Sequence, residues 1–483
     1  MRLISTKVMI KYLTVTIMGS DDDWEDEWYA FWYEEVYESN ECLTHRDEKK
    51  DIEKPKKKIS RREHFYRQGR TSSITGDHST AIKFYEEALK NSHSNREKCE
   101  MLTTIAEEYE TAGNYASAQS YLNMACDTAQ YGTDYVYLTR KGDFLYRRKR
   151  YEEAIAAFER ALKSLDAKKD AYIYIDQVKY YARMVHFIIA SYMELGKVNK
   201  QEKYHGKLRR RIARHIRGQP GRDEDKAHNL SEAAWRVYLD DRMIDEALIL
   251  IDSAIELHPN CPAEYYNTKA IILDGGFRYD EALKCYDKAL SKERSNETFL
   301  ENKAGCIREK LKRRLLLGKT RSEDLDMINE ALKTLPKSCD SGDYLTTKGD
   351  ILSRLGEPVK ARICYALAAR EYDKVDEAER HLKGLKPTES YINITGTQYY
   401  KHFAPFKERT IVDLIKERDN PHDRYAIRVE IDGETVGYVA NSEYTLIKEV
   451  KSARDLKYVK LKQAEVQFIL FDEWIIAKLI KAR

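Results

Sequence analysis

Few residues in this chain of 483 have the types and spacing that covalent chemistry needs. Gly318-Lys319-Thr320 matches the last three residues of a phosphate loop. Position 313, however, is Arg where that loop requires glycine, and no strand precedes it. The chain has no His-Glu-x-x-His, no Gly-x-Ser-x-Gly and no glycine-rich dinucleotide turn. Its eight cysteines, at 42, 99, 126, 261, 285, 306, 339 and 364, include no Cys-x-x-Cys pair. That spacing supports neither a zinc site nor a disulfide framework and fits free thiols in a reducing cytosol. No catalytic residue, metal or cofactor is expected, so the remaining chemistry is recognition. One basic cluster stands out: Arg209, Arg210, Arg211, Arg214 and Arg217 crowd a helix end before Gly218 and Pro220 break it. It reads either as a patch for phosphate or an acidic partner, or as a solvated helix end.

The elements that carry these residues repeat. Tyr135–Leu162 reads as two short amphipathic helices, with small residues at Gly142, Ala154 and Ala161 and large ones at Tyr151 and Phe158. Such a hairpin cannot bury its apolar face alone and needs stacked copies. The same pattern recurs at Ala81/Tyr85/Ala88, Ala118/Leu122/Ala125, Ala247/Ile251/Ala254, Ala282/Tyr286/Ala289 and Ala361/Tyr365/Ala368. Two degenerate copies lie around Tyr192–Leu208 and through Gly305 and Ala331, the latter with an insertion near Arg313–Lys319. Glycines at 76, 113 and 356 mark turns, and Pro259 and Pro336 follow second helices as stops. This spacing resembles the tetratricopeptide (TPR) repeat over roughly residues 60–370. The resemblance implies an all-α superhelical solenoid whose concave face is lined by first helices and takes a protein or peptide. The Lys and Asn clamp that some members use for a terminal carboxylate is absent, since Thr103, Glu107, Thr139, Asp143, Asn267, Ile271, Thr346 and Asp350 occupy those places. Glu100, Glu107, Glu110, Asp143 and Asp350 collect there instead and are the expected partner-binding groove, suited to a basic or amphipathic ligand.

Residues 1–58 differ in composition. Tyr12–Met18 is too short to span a membrane and runs into Asp21–Asp23 rather than a cleavage site, so no targeting segment is expected; Met18 is a plausible true start. Residues 21–37, DDDWEDEWYAFWYEEVY, are acidic and aromatic together. They read either as a disordered tail that docks a partner or the chain's own basic surface through Trp24, Trp28 and Trp32, or as a helix capping the first repeat. The basic stretch at 54–62 then reads as a solvated linker, or as a nuclear-localisation signal in a eukaryotic host. The organisation expected is a disordered N-terminal segment at 1–58, helical repeats with a capping helix at 59–385, and a β-barrel at 391–483.

Beyond Gly384 and Pro387 the apolar period changes to two. Strands are expected around Ile392–Ile394, Ile411–Ile415, Ile427–Ile431, Val436–Tyr438, Val459–Leu461 and Val466–Leu470, with a hairpin turn at Asp432-Gly433. One helix is expected over Asn441–Val450. In Asp419–Asp423, Pro421 fixes φ while Asn420 and Asp423 can bond the backbone. The run Glu417–Ala440, together with Gly396-Thr397-Gln398-Tyr399-Tyr400 and Gly437-Tyr438, resembles the HIRAN domain over about residues 391–470. That resemblance implies a small OB-like all-β barrel, used by helicase-linked members to capture 3′ ends of single-stranded DNA. It further implies that Tyr399 stacks a base and Asp423 receives the terminal hydroxyl. Departures stand at Gln398, where a basic residue is usual, at His422, where tyrosine is common, and at Tyr438, where a histidine can occur. The expected nucleic-acid face is Gln398, Tyr399, Tyr400, Arg418, Asn420, His422, Asp423, Tyr438, Lys451 and Arg454.

Composition bounds the function. The net charge is only +3, and residues 391–483 hold 16 Lys/Arg against 14 Asp/Glu, so any polyanion surface must be local. The basic residues do cluster, at Lys448, Lys451, Arg454, Lys457, Lys460 and Lys462. The reading is a non-enzymatic cytoplasmic adaptor (nuclear in a eukaryote). Its barrel binds single-stranded DNA or 3′ ends, and its groove binds a protein. A protein scaffold without nucleic-acid binding is the alternative.

Overall fold

The structure is a computed structural model that describes residues 60–129, 134–167, 175–442, 446–447, 450–460 and 462–480. The acidic-aromatic and basic stretches before residue 60, with Trp24, Trp28 and Trp32, lie outside the described residues. Seventeen α-helices precede six β-strands among those residues.

The helices run α1 (Arg61–Ile74), α2 (His78–Lys90), α3 (Asn95–Thr111), α4 (Tyr115–Thr128), α5 (Asp134–Arg147), α6 (Tyr151–Ala167), α7 (Ile175–Glu194), α8 (Gln201–Gly218) and α9 (Asp223–Asp241). They continue through α10 (Ile244–Leu257), α11 (Ala263–Gly275), α12 (Tyr279–Lys292), α13 (Glu297–Leu316), α14 (Glu323–Thr334), α15 (Gly342–Arg354), α16 (Pro358–Ala368) and α17 (Tyr372–Lys383). The expected pairing of small and large residues sets their approach. A Cβ at Gly142 would lie 2.5 Å from the Phe158 ring, and one at Gly349 would lie 2.4 Å from the Tyr365 ring. Phe158 is fully buried and stacks on Phe187 of the next repeat, with centroids 5.9 Å apart. The α5–α6 hairpin therefore completes its core with a ring of its neighbour, as stacked repeats require.

The motif Gly318-Lys319-Thr320 closes a helix. Gly318 has φ +65°, and the Lys319 amide returns to the Arg314 carbonyl at 2.9 Å. This is a left-handed C-terminal cap, on the wrong end of a helix to cradle phosphate. The arginine cluster on α8 is only partly engaged within the stack, and Arg209, Arg210 and Arg217 remain exposed. Buried Arg211 donates to the Leu165 carbonyl (3.3 Å) and Gln177 (3.1 Å), Arg214 pairs with Asp166, and Arg209 pairs with Glu202 at 2.7 Å. All seven described cysteines are free thiols.

The strands are β1 (Tyr391–Thr395), β2 (Ile411–Lys416), β3 (Ile427–Ile431), β4 (Glu434–Val439), β5 (Gln463–Leu470) and β6 (Trp474–Ile480), closed in the order β1-β4-β3-β2-β5-β6 with antiparallel neighbours. Closure leaves no free sheet edge. Asp432 and Gly433 both have positive φ, as the tight β3–β4 turn demands. Gly437 is required for a different reason: a Cβ there would sit 2.8 Å from the Thr395 carbonyl oxygen, where β1 crosses β4.

Two expectations need correction, and one strand lies outside them. Val459 is not in a strand: Ala453–Tyr458 forms turns, in which Ala453 and Leu456 point into the barrel core. The described residues of 441–450 form no α-helix, because Asn441 spends its side chain on tertiary bonds described below. β6 went unpredicted because both its faces are buried, which erases alternation. Ile475 and Ala477 fill the barrel, while Trp474 and Ile476 join Phe468, Leu470, Val359 and Ala378 in a second core. That second core joins the barrel to α16 and α17, so α17 ends the stack against the barrel. Arg362 of α16 pairs with Glu473 at 2.8 Å, and His381 of α17 stacks on Phe468 with centroids 4.4 Å apart.

Candidate nucleic-acid interface

The β2–β3 connection is organised by Asn420. Its Oδ1 accepts from the amides of His422 (3.0 Å) and Asp423 (3.1 Å), and its Nδ2 donates to Glu417 at 2.8 Å. Glu417 also accepts from Arg428 and from the Tyr438 hydroxyl (3.3 Å). The Asn420 amide leads these bonds in holding the Glu417 carboxyl below its usual range, against partial burial. Burial, then the Tyr400 hydroxyl, pushes Tyr438 up to about 12. Its ring lies 6.4 Å from that of Tyr400.

Tyr399 and Tyr400 leave β1 through a short 3-10 turn, Thr397–Tyr399, entered by Gly396 at φ +75°. Tyr399 is 81% exposed and Gln398 is also exposed. On the other side, Asp423 Oδ1 accepts from the Tyr425 amide and Oδ2 from Asn441 Nδ2, both at 2.8 Å. Asn441 Oδ1 in turn accepts from the Arg454 amide at 3.1 Å. The Arg454 guanidinium lies 5.5 Å from the Tyr425 ring centroid. One run of contacts thus links Tyr400, Tyr438, Glu417, Asn420, Asp423, Asn441 and Arg454. Arg418, His422 and Lys451 are exposed beside them.

Of the expected face, Tyr400, Asn420, Asp423, Tyr438 and Arg454 are joined by these contacts. Gln398 and Tyr399 adjoin them in sequence, His422 is joined to Asn420 through its backbone amide, and Arg418 and Lys451 share the loops. Lys448 lies outside the described residues. Sequence reasoning missed Glu417, Arg428 and Asn441. Glu417 opens the motif and could have been singled out; Asn441 was read as a helix start.

In the solenoid, Glu107, Glu110 and Asp143 stand on first helices and face arginines of the next first helix. Glu110 is held bidentately by Arg147 at 3.0 and 2.8 Å, Arg140 pairs with Glu107, and Arg183 reaches Asp143 at 3.3 Å. Glu100 takes Arg62 (3.1 Å) and Arg96 (3.0 Å), and Asp350 accepts from Tyr365 at 2.9 Å. Glu100, Glu107, Glu110 and Asp143 thus alternate with arginines, whereas Asp350 is bonded by a neutral tyrosine hydroxyl.

The architecture is therefore a helical-repeat solenoid fused to a closed antiparallel barrel with an aromatic and polar outer face. Family models agree: the HIRAN domain model matches residues 388–460, and a tetratricopeptide repeat model matches residues 135–164. The chain carries both modules. Comparison with curated proteins finds no match. Among solved structures, the TPR2AB-domain:pHSP90 complex of yeast Sti1 is 14% identical. That match covers 64% of this chain and 98% of that one, with a TM-score of 0.23. A tetratricopeptide repeat protein from Parabacteroides merdae is 16% identical, covering 58% and 97%, with a TM-score of 0.25. MamA is 18% identical, covering 47% and 94%, with a TM-score of 0.23. A HIRAN domain points to nucleic-acid binding and tetratricopeptide repeats to protein interaction. No described helix is long and apolar enough to cross a membrane.

Proposed function

We propose that this chain is a non-enzymatic adaptor that holds single-stranded DNA, preferentially at a free 3′ end, on the barrel and a protein segment in the solenoid groove. The observation that carries it is the exposed Tyr399 ring beside the contact run from Tyr400 to Arg454. An aromatic ring that solvent reaches freely contributes little to folding and is free to stack on a base, worth about 1–3 kcal/mol per base. Asp423 already accepts two hydrogen bonds, but a carboxylate has lone pairs for more. Its two donors fix its direction, and a terminal hydroxyl approaching it needs no rearrangement. A 3′ phosphate would set like charge against it.

The test uses the intact chain with fluorescently labelled oligonucleotides that end in a 3′ hydroxyl or a 3′ phosphate. Tyr399→Ala is expected to weaken binding to both by the stacking energy above. Asp423→Ala is expected chiefly to erase the preference between them. Equal binding of both ends by the unmutated protein would refute end capture, and no binding of either at low salt would leave a protein scaffold. The protein ligand of the groove must compete with the arginine–carboxylate ladder, which favours a segment carrying both signs of charge. A purely acidic or purely basic peptide of equal length should bind more weakly in calorimetric titration.

A further inference from the structure

We infer that the turn Ala453–Val459 is a second stacking station for a nucleic-acid strand, with Tyr458 as its platform. This rests on the single-strand reading of the barrel. Tyr458 is 88% exposed, more than Tyr399. Its turn is nevertheless firmly built. Ala453 and Leu456 are fully buried in the barrel core. Lys416, the last residue of β2, drives its ammonium into the turn and donates to the carbonyls of Leu456 (2.9 Å), Lys457 (3.0 Å) and Val459 (2.7 Å). An ammonium has three protons to donate, so this one is spent on shaping the backbone.

The turn's fold is accounted for without Tyr458. A ring held in water gains no burial energy, so its display on a rigid turn has no structural purpose. The surroundings suit a polyanion. Lys457 places its ammonium 4.8 Å from the Tyr458 ring centroid, and Lys460, Lys451 and Arg454 are exposed along the same segment. A base stacked on the ring would bring its phosphates beside cations, the combination that single-strand channels use.

The topology puts the Asp423 loop and the Tyr458 turn at one end of the barrel. The β2–β3 loop with Asn420 and Asp423 begins directly after Lys416, and Asn441 at the end of β4 bonds Asp423 and the Arg454 amide together. Lys416 therefore holds the Tyr458 turn while its neighbour Glu417 holds Tyr438 and Asn420. A strand whose end lies at Asp423 has a route past Arg454 to Tyr458.

The experiment is fluorescence anisotropy on the intact protein at low salt. It uses oligothymidylates of about 4 and about 12 nucleotides with free 3′ ends, lengths within the range covered by one OB-type barrel. Tyr458→Ala is expected to weaken the longer oligonucleotide about 5- to 150-fold, the range one lost stack implies, and to leave the shorter one nearly unchanged. Tyr458→Phe, which keeps the ring, is expected to bind as the unmutated chain does. Tyr399→Ala should weaken both lengths. Unchanged binding of the longer strand by Tyr458→Ala, alongside a Tyr399→Ala loss, overturns the second station alone. Equal loss at both lengths also overturns it, because Tyr458 would then belong to the end pocket. If the unmutated protein binds neither length, the single-strand reading falls and the second station with it.

Discussion

A buried carboxylate shows how a single residue sets a stability limit in this solenoid. Glu246 of α10 is 2% exposed, and its two oxygens take His186 Nδ1 at 3.1 Å and His205 Nε2 at 3.0 Å. Burial, the largest single effect, would raise its pKa, but the hydrogen bonds and the electrostatic attraction of the two imidazoles together outweigh it and hold the group at about 2, against an ordinary 4.5. A carboxyl depressed in the folded state contributes stability that is fully present above its unfolded pKa and lost as pH falls through the folded one. Here that window runs from about pH 4.5 to about pH 2, and the contribution is of the order of 3 kcal/mol. Urea unfolding of the intact chain should show stability falling across this window, and falling less steeply in Glu246→Gln. Parallel pH profiles for the two proteins would show that the histidine pair does not hold the charge. On the barrel, by contrast, Asp423 is only partly buried, and its two donors, the Tyr425 amide and Asn441, fix its direction.

At the scale of the element, the close approach of paired helices rests on missing side chains. Alanine in a solvated helix is about 1 kcal/mol better than glycine, yet Gly142 faces the wholly buried Phe158 at a distance no Cβ can share. Overpacking of a rigid core costs about 1–3 kcal/mol, so the sign should reverse. Gly142→Ala is expected to destabilise the protein by about 1–2 kcal/mol, measured by denaturant midpoint; a stabilised variant would mean the α5–α6 packing is looser than this. Phe158→Ala should cost about 3–5 kcal/mol as a buried aromatic. A loss within about 0.5 kcal/mol, the range of surface changes, would remove Phe158 from the core and with it the repeat register.

The whole molecule adds a coupling that neither module has alone. Phe468, Leu470, Trp474 and Ile476 of the barrel share a core with Val359 and Ala378 of the last helices. The barrel and the end of the solenoid should therefore unfold together in the intact chain. Phe468→Asp places a charge in that core without touching the Ile475 and Ala477 layer inside the barrel. Scanning calorimetry should then show a separate, earlier barrel transition, because a buried unpaired charge costs several kcal/mol. A profile unchanged from the parent would mean that the two modules are energetically independent.

The repeat solenoid was legible in the sequence because Gly142, Phe158, Tyr365 and their counterparts act within one hairpin or its neighbour, at fixed spacing. The barrel's alternating strands were legible for a similar reason: Val412 and Leu414, or Ile427 and Val429, bury one face while the other meets solvent. Tertiary structure alone decided three things. β6 lost its period because α16 and α17 cover its outer face. The segment Ala453–Val459 became a turn because Lys416, about forty residues earlier, bonds its carbonyls. Four of the five groove acids proved to be paired with arginines, and Glu107 meets Arg140 and Glu110 meets Arg147 only when successive first helices stack. Local spacing records contacts within an element or between adjacent copies. Contacts between distant segments leave no period to read, and those contacts place Asn441, Lys416 and Tyr458.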